Sequence, residues 1–303
     1  MLPTTTLPTT AKLTSVFYHE HDKHAMGIVH PDFEAIYQYN LWFEQHDPQR
    51  PLLYASFVTS IDGKLAFPDQ PQGPLIAREN HVDSDGAALD WWILNALRTS
   101  CDGLIFGINT LRKEPELTGH IYDGLLQQIR QDIHQQAIPW NILITHHSDQ
   151  LPLTHQTFYQ QAIPLIIITT ASEQASCVQS LQACGRTVQL LGLEQQLPLQ
   201  PTVTYVIPLL DHGLTVVLRM LKRLGLHKIL VESPTLAHIL IAEQCLDELF
   251  MTQSGVYIGG DAVSIGQTQT AFTSRYHPHT KLISIHQHEQ SFLYFRYRMI
   301  YNK

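Results

Sequence analysis

An acidic residue stands at the end of an apolar, strand-like run, where a carboxylate is costly to bury alone. Glu232 ends the run "KILVE", and Ser233 and Pro234 follow it directly. Such a carboxylate needs an ion-pair or hydrogen-bond partner, which favours a functional site over a surface accident. Ser233 and Pro234 are typical of a helix start, with serine as the cap and proline first. We expect the amides of Thr235 and Leu236 to face an anion there.

Two further turns carry side chains of the kind that bind phosphates. In "SFVTSIDGKLA", Asp62 and Gly63 form a turn after an apolar run, and Lys64 adds a point charge suited to a phosphate or a sugar chain. The Asp-Gly pair by itself is more simply explained as an ordinary turn. In "GLIFGINT", Gly107 and Thr110 offer backbone and hydroxyl donors to a phosphate.

Arg98 lies near the end of the predicted helix "LDWWILNALRTS". Its charge either balances the helix dipole or binds a ligand, and the residue pattern leaves both roles open. Ligands of parallel sheets bind beyond the carboxyl ends of the strands. This rule directs the search to residues 60–64, 107–115, 232–235 and 259–261.

The bulk composition narrows the class of protein. The 303 residues carry a formal net charge of -8, which argues against a broad surface for nucleic acid. The start of the chain lacks the pattern of a signal peptide, and no segment has the apolar length of a membrane span. We therefore expect a cytoplasmic protein. Four cysteines without metal-type spacing are expected to be reduced core thiols: Cys101, Cys177, Cys184 and Cys245.

Histidine is abundant, with 18 residues, several of them in "YHEHDKHAMGIVH". Metal binding is one reading of this segment. No spacing in it repeats a known ligand frame, so a solvated, irregular segment is the better interpretation, and we expect no metal.

The alternation of apolar runs with amphipathic segments predicts the fold class. From Leu52 onwards, strand-length runs alternate with helical segments, as in an α/β protein with a mostly parallel sheet flanked by helices. The end of the chain, "TKLISIHQHEQSFLYFRYRMI", predicts an antiparallel hairpin that closes one sheet edge. We expect an extension over residues 1–50, with a helix in "DFEAIYQYNLWFEQHDP", and one domain over residues 51–303.

Three motifs together carry a family resemblance: "SIDGKLA", "LRTSCDGLIFGINTLRKEPELT" and "VESPTLAHILIAEQCLDELFMTQSGVYIGG". In this order the chain resembles the pyrimidine reductases of riboflavin biosynthesis, which share the dihydrofolate-reductase fold. Some members are fused to a zinc deaminase with His-x-Glu and Pro-Cys-x-x-Cys motifs. Neither motif occurs here, so the resemblance extends to the reductase domain alone.

The resemblance implies an activity and a set of site residues. It implies hydride transfer from NADPH to the ribosylamino group of a 5-aminouracil phosphate, by a homodimer. Lys64 and Glu232 are expected to act in catalysis. The residues expected at the substrate are Lys64, Arg98, Glu114, Leu117, His120 and Glu232. The residues expected at the cofactor are Val58, Gly107, Thr110, Lys113, Ser233, Pro234, Thr235 and Leu236.

Three departures from the family pattern affect the roles that the resemblance implies for the substrate and cofactor residues. Lys113 and Glu114 replace an Asp-Asp pair, so the first acid has become a base. His120 stands where the family often has an arginine for the substrate phosphate, and neutral histidine is a weaker anion partner. Ser233 and Pro234 replace glycines after Glu232, and the proline removes a backbone donor.

These departures keep alternative functions open. A non-catalytic binding or regulatory protein on the same fold would bind ligand without oxidising NADPH. A dihydrofolate reductase is the third reading, although Lys64 and Arg98 suit a phosphosugar better than a pterin.

Overall fold

The computed structural model describes residues 2–19, 26–133, 136–209, 213–266 and 271–301. Much of the histidine-rich segment therefore lies outside the described residues. The strands in this part of the chain are β1 Thr14–Tyr18, β2 Met26–Ile28, β3 Leu41–Phe43, β4 Leu52–Thr59, β5 Gly103–Phe106, β6 Trp140–Thr145, β7 Leu165–Thr170, β8 Thr187–Leu190, β9 Val203–Leu209, β10 Lys228–Glu232, β11 Glu248–Ser254, β12 His279–His288 and β13 Phe292–Ile300.

The α-helices of the described residues lie between these strands. They are α1 Pro31–Tyr37, α2 Leu75–Arg78, α3 Ser84–Ser100, α4 Ile108–Lys113, α5 Gly124–Asp132, α6 Gln156–Tyr159, α7 Gln174–Ala183, α8 Leu214–Arg223 and α9 Pro234–Ala242.

Eleven of the described strands form one sheet in the order β1-β12-β13-β11-β4-β10-β5-β6-β7-β9-β8. The pairings from β11 through β4 to β8 are parallel, whereas β11–β13, β13–β12 and β12–β1 are antiparallel. The mostly parallel α/β sheet and the C-terminal antiparallel hairpin are therefore as expected from the sequence.

The apolar runs form these strands because both faces of the sheet are covered. Along β10, Leu230 packs into the core on one face, and Ile229 and Val231 pack into the core on the other. All three side chains are fully buried. This burial on both faces explains why the strand reads as a continuous apolar run rather than as an alternating one.

The first 50 residues pack against the sheet in a way that the sequence did not predict. The hairpin of β12 and β13 does not close the sheet edge, because β1 pairs with β12 outside it. The expected helix is short: α1 ends at Tyr37, its C-cap Gln38 has a left-handed φ of 73°, and the apolar residues from Leu41 form β3.

Within the described residues, no helix combines the length and the apolar character that crossing a membrane requires.

Candidate active site

The carboxylate at the end of β10 has a single dominant partner. Glu232 Oε1 and Oε2 each accept a hydrogen bond of 2.7 Å from Arg98, from Nε and Nη2 respectively. The Glu232 side chain is 7% exposed and that of Arg98 is fully buried. The parallel fork of a guanidinium and a carboxylate is a strong and directional pair. The partner that the sequence argument required for Glu232 is therefore Arg98.

Arg98 also organises the backbone beside the ion pair. Its Nη1 donates to the carbonyl oxygens of Thr118 and His120 at 3.2 and 3.1 Å. Burial works to lower the pKa of Arg98, but the charge and hydrogen bonds of Glu232 outweigh it and raise the pKa above its ordinary value. Arg98 thus holds Glu232 and the turn at residues 118–120 in one fixed arrangement.

The helix that follows Glu232 begins as the sequence predicts. Ser233 is the N-cap of α9 and Pro234 its first residue. The amide of Leu236 donates to Ser233 Oγ at 3.4 Å, a long bond, so this amide is partly engaged in the cap. Residues 233–236 remain a region where an anion could bind the start of a helix.

Gly107 brings a second turn against this one. Its neighbour Phe106 pairs with Glu232 across β5 and β10, which places the two strand ends side by side. A Cβ at Gly107 would lie 3.1 Å from Ser233 Oγ and 3.4 Å from Thr110 Oγ1. Only a residue without a side chain leaves this space clear, so the two turns together form a narrow polar cradle.

Both turns open into a large cavity of about 1770 Å³. This volume exceeds that of a typical small-molecule pocket and suits two ligands together or one dinucleotide with a substrate. The predicted site residues that line it are Val58, Gly107, Thr110, Lys113, Glu114, Leu117, Glu232, Ser233, Pro234, Thr235 and Leu236. Among the described residues, Lys64, Arg98 and His120 are not part of the lining.

The turn that contains Lys64 is fastened to a neighbouring loop. Asp62 accepts hydrogen bonds from the Ser60 hydroxyl at 2.6 Å and from the amides of Ile258 and Gly259 at 3.2 and 2.8 Å. The Ser60 hydroxyl, together with these amides, lowers the pKa of Asp62 to about 2. The backbone of Lys64 is bonded to Ser60 within the same turn. These bonds give Asp62 a structural role.

His120 is buried and has a partner at each ring nitrogen. Nδ1 lies 2.6 Å from Thr118 Oγ1 and Nε2 lies 2.7 Å from the carbonyl oxygen of Pro3. Because a carbonyl can only accept, Nε2 carries the proton and Nδ1 accepts from the threonine hydroxyl. Burial lowers the pKa of His120 to about 4. The ring is therefore neutral near pH 7 and engaged on both sides.

Glu114 is a second carboxyl on the cavity wall. Burial raises its pKa, a hydrogen bond from the amide of Gly73 works against this rise, and the negative charge of Glu232 adds to it. Lys113, the preceding residue, is exposed at the cavity lining. The substitution of Lys and Glu for an acidic pair thus leaves one carboxyl in the cavity, next to a base.

Sequence reasoning missed Asp90, a further carboxyl in the lining. It lies on α3 and is hydrogen-bonded to the side chain of Thr252 on β11. Burial raises the pKa of Asp90 to about 6, against the opposing effect of that hydrogen bond. The spacing in the sequence could have indicated Asp90. Asp90, Leu94 and Arg98 are four residues apart, so Asp90 lies on the same helix face as Arg98.

Sequence reasoning also missed the start of the chain. Pro3, Thr5, Thr6 and Leu7 line the cavity, although they lie far from the motifs. The amide of Thr5 donates to the carbonyl oxygen of Tyr122 at 2.8 Å. A Thr/Pro-rich segment has no periodicity that would predict such a position.

No group of three or more His, Cys, Asp and Glu side chains within the described residues is arranged to hold a metal ion.

Comparisons with known proteins agree on one family. The family model of the RibD C-terminal domain matches residues 51–294. A search of proteins with curated functions gave no match. Several solved structures share the fold at low sequence identity.

A pyrimidine reductase-like protein from Corynebacterium diphtheriae is 18% identical, with a TM-score of 0.63 over 83% of this chain and 93% of that one. A bifunctional diaminohydroxyphosphoribosylaminopyrimidine deaminase/5-amino-6-(5-phosphoribosylamino)uracil reductase from Thermotoga maritima is 14% identical. Its TM-score is 0.55, over 82% of this chain and 57% of that one. RibD from Acinetobacter baumannii is 17% identical, with a TM-score of 0.54 over 83% and 58%. The family match covers most of the chain, and the chain belongs to the RibD C-terminal domain family of riboflavin-pathway reductases.

Proposed function

We propose that this protein is an NADPH-dependent reductase that acts on the ribosylamino group of 5-amino-6-(5-phosphoribosylamino)uracil or of a related small heterocycle. One observation carries the proposal. Glu232, which is held from behind by Arg98, and the start of α9 stand side by side on one cavity wall, so a substrate group and a cofactor phosphate can be bound next to each other. Family membership supports the same reaction class.

The cradle between the two turns fits the phosphates of a dinucleotide. Gly107 leaves room for close approach, the Thr110 hydroxyl lines the cavity, and the amide of Thr235 lies in the first turn of α9. Lys113 adds a positive charge at the lining. When bound, NADPH supplies the hydride, and the chain contributes position and the exclusion of water.

Glu232 is suited to orient the substrate. Each of its oxygens accepts one bond from Arg98, and a carboxylate oxygen has a second lone pair that can accept a donor from the cavity. Because Arg98 also donates to the carbonyl oxygens of Thr118 and His120, it is fixed in place and holds the carboxylate in one orientation.

Asp90 and Glu114 are suited to supply the proton that the reaction requires. Reduction of the sugar carbon demands a proton at the departing ring oxygen. Burial raises the pKa of both carboxyls, so that each holds a proton at a higher pH than an exposed acid would. Asp90 is the stronger candidate, because its pKa of about 6 lies near the working range of a general acid.

The test is turnover with purified protein. Loss of the absorbance of NADPH on addition of the aminouracil phosphate or its dephosphorylated form is the expected result, and this loss should be absent in Glu232→Gln. Ligand binding without NADPH oxidation would contradict the reductase and favour a non-catalytic protein. Oxidation with dihydrofolate alone would contradict the substrate class.

We also propose that the protein works as a cytoplasmic homodimer, with a reductase domain over residues 51–303 and an extension over residues 1–50. The resemblance supports the dimer. Light scattering on the purified chain checks it, and a mass of one chain would contradict it.

A further inference from the structure

Position 120, where the family pattern has an arginine for the substrate phosphate, carries no available cation in this chain. His120 is 2% exposed, and burial lowers its pKa to about 4, so the ring is neutral near pH 7. Its Nε2 donates to the carbonyl oxygen of Pro3. A substrate phosphate in the cavity therefore needs a cation from another element of the fold.

Arg98 is not available for that task either. Its guanidinium lies 5.6 Å from the ring centroid of Trp91, which lines the cavity, but the Arg98 side chain is fully buried. Nε and Nη2 donate to Glu232, and Nη1 donates to the carbonyl oxygens of Thr118 and His120. If Arg98 turned to a phosphate, the Glu232 carboxylate would stay buried without its cation, which is costly.

The described part of the chain offers three arginine or lysine side chains at the cavity lining: Arg78, Arg112 and Lys113. Arg112 and Lys113 are in the last turn of α4, the helix that follows the cradle assigned to the cofactor. Arg112 also donates to Asn109 Oδ1 at 3.2 Å and to the carbonyl oxygen of Gln150 at 2.5 Å. These two cations therefore belong to the cofactor end of the cavity, which leaves Arg78.

Arg78 lies on α2, close to the carboxyls of the substrate side. The amide of Gly73, just before α2, donates a hydrogen bond to the Glu114 carboxyl. Burial raises the pKa of Glu114, the charge of Glu232 raises it further, and the charge of Arg78 lowers it. Arg78 and Glu232 are thus both near enough to Glu114 for their charges to act on it. Arg78 and the carboxylate assigned to the substrate therefore belong to one region of the cavity.

The backbone of α2 is fixed, whereas the side chain of Arg78 is unengaged. Ile76 and Ala77 are buried, and Asn80 Nδ2 donates to Ser254 Oγ at 3.0 Å. Arg78 itself is exposed, and its guanidinium makes no hydrogen bond or ion pair within the described residues. An arginine on a fixed helix with its planar fork unoccupied is suited to bind a phosphate through two hydrogen bonds.

The carboxyls around Arg78 leave its charge available to an anion. The carboxylate of Glu79, the next residue, lies 3.5 Å from His81 Nε2. The charge of Glu232 is balanced by Arg98. Glu114 holds its proton more readily than an exposed acid, because burial raises its pKa. A phosphate nearby would raise that pKa further, and a protonated carboxyl can donate to a phosphate oxygen.

We propose that Arg78 binds the phosphate of the substrate and takes the role that the family pattern gives to an arginine at position 120. This inference rests on the proposed function and deepens it, because it assigns the phosphate-binding residue and makes the phosphorylated aminouracil the preferred compound. With the heterocycle at Glu232, the sugar chain extends toward α2 and places its phosphate at the rim of the cavity, where Arg78 is exposed.

The experiment measures the dissociation constants of the aminouracil phosphate and of its dephosphorylated form, without cofactor. Quenching of tryptophan fluorescence reports binding, because Trp91 and Trp92 line the cavity. The wild-type protein is expected to bind the phosphate about tenfold or more tightly than the dephosphorylated form. Arg78→Gln should reduce this preference to within about twofold by weakening the binding of the phosphate alone. An unchanged preference in Arg78→Gln, no preference in the wild type, or binding of neither compound would overturn the proposal.

Arg112→Gln is the matched control, since Arg112 is also an exposed arginine of the cavity lining. It is expected to leave the ratio of the two dissociation constants unchanged. Equal losses of preference in Arg78→Gln and Arg112→Gln would show a general effect of positive charge and overturn the proposal. Arg78→Met repeats the test if circular dichroism shows that Arg78→Gln has lost structure.

The two proposals can fail separately. If Arg78→Gln removes a clear preference for the phosphate but neither compound supports NADPH oxidation, the reductase is contradicted and the role of Arg78 is supported. If NADPH is oxidised and Arg78→Gln leaves the KM for the phosphate unchanged, the reductase is supported and the role of Arg78 is contradicted.

Discussion

Two turns that follow neighbouring strands of the same sheet have opposite relations to the cavity. The turn after β10, residues 233–236, lines it, whereas Lys64 in the turn after β4 does not. Both turns carry polar residues in a pattern that suits an anion, and β4 and β10 pair directly. The position of a turn at a strand end therefore does not decide whether its side chains reach a ligand.

The difference comes from the partners of the acid in each region. Asp62 turns toward the loop after β11 and accepts hydrogen bonds from the backbone amides of Ile258 and Gly259. Glu232 turns toward helix α3 and accepts two hydrogen bonds from Arg98. In the first turn the acid links its turn to a neighbouring loop, and in the second it belongs to an ion pair whose carboxylate lines the cavity.

The largest effect is expected when Arg98, the partner of Glu232, is replaced. Arg98→Met leaves a carboxylate buried without its cation, which is expected to cost about 3–5 kcal/mol of unfolding free energy. Urea denaturation measures the loss. A destabilisation below about 1 kcal/mol would show that the pair is effectively a surface ion pair.

The next largest effect is expected at the proton source. Asp90→Asn keeps the size of the side chain and removes its acidity, so kcat should fall by roughly a hundredfold or more. Steady-state NADPH oxidation measures it. The control is Asp62→Asn in the other turn, which should leave kcat within about twofold. Equal losses in both variants would contradict the assignment of Asp90.

Asp90 should also make stability depend on pH. Burial raises its pKa to about 6, so the native state favours the protonated form. The stabilisation is complete below the ordinary pKa of 3.8 and is lost as the pH rises through about 6. Because the carboxyl is partly open to the cavity, Asp90→Asn should gain up to about 2 kcal/mol over wild type near pH 8 and little near pH 4. Thermal melts at the two pH values measure this, and a difference that does not change with pH would contradict it.

A smaller effect is expected at the helix cap. Ser233→Ala removes the acceptor of the Leu236 amide and should cost about 1 kcal/mol of stability. The KM for NADPH should rise severalfold. The matched control is Ser60→Ala, which disturbs the bonds of the other turn and should leave this KM unchanged. A higher KM in both variants would mean that the turns do not differ in cofactor binding.

The smallest effect is expected at Lys64. Because its side chain is not part of the cavity lining, Lys64→Ala should change kcat/KM by less than about threefold. A loss of a hundredfold would instead support the catalytic role that the family resemblance implies for Lys64.

Local patterns predicted much of the fold. The strands and the cap at Ser233 follow from apolar runs and from a serine-proline helix start, both of which depend on neighbours in sequence. The partner of Glu232 and the loop that anchors Asp62 are residues more than a hundred positions away, which no local pattern encodes. The same holds for residues 3–7, whose place is set by contacts with His120, Tyr122 and Asp123.

The most direct test of the comparison is amide hydrogen exchange with and without NADPH. The account predicts slower exchange at Thr235 and Leu236 when NADPH is added, and no change at Gly63 and Lys64. Protection of residues 63–64 with none at residues 235–236, or no protection at either turn at saturating NADPH, would contradict it.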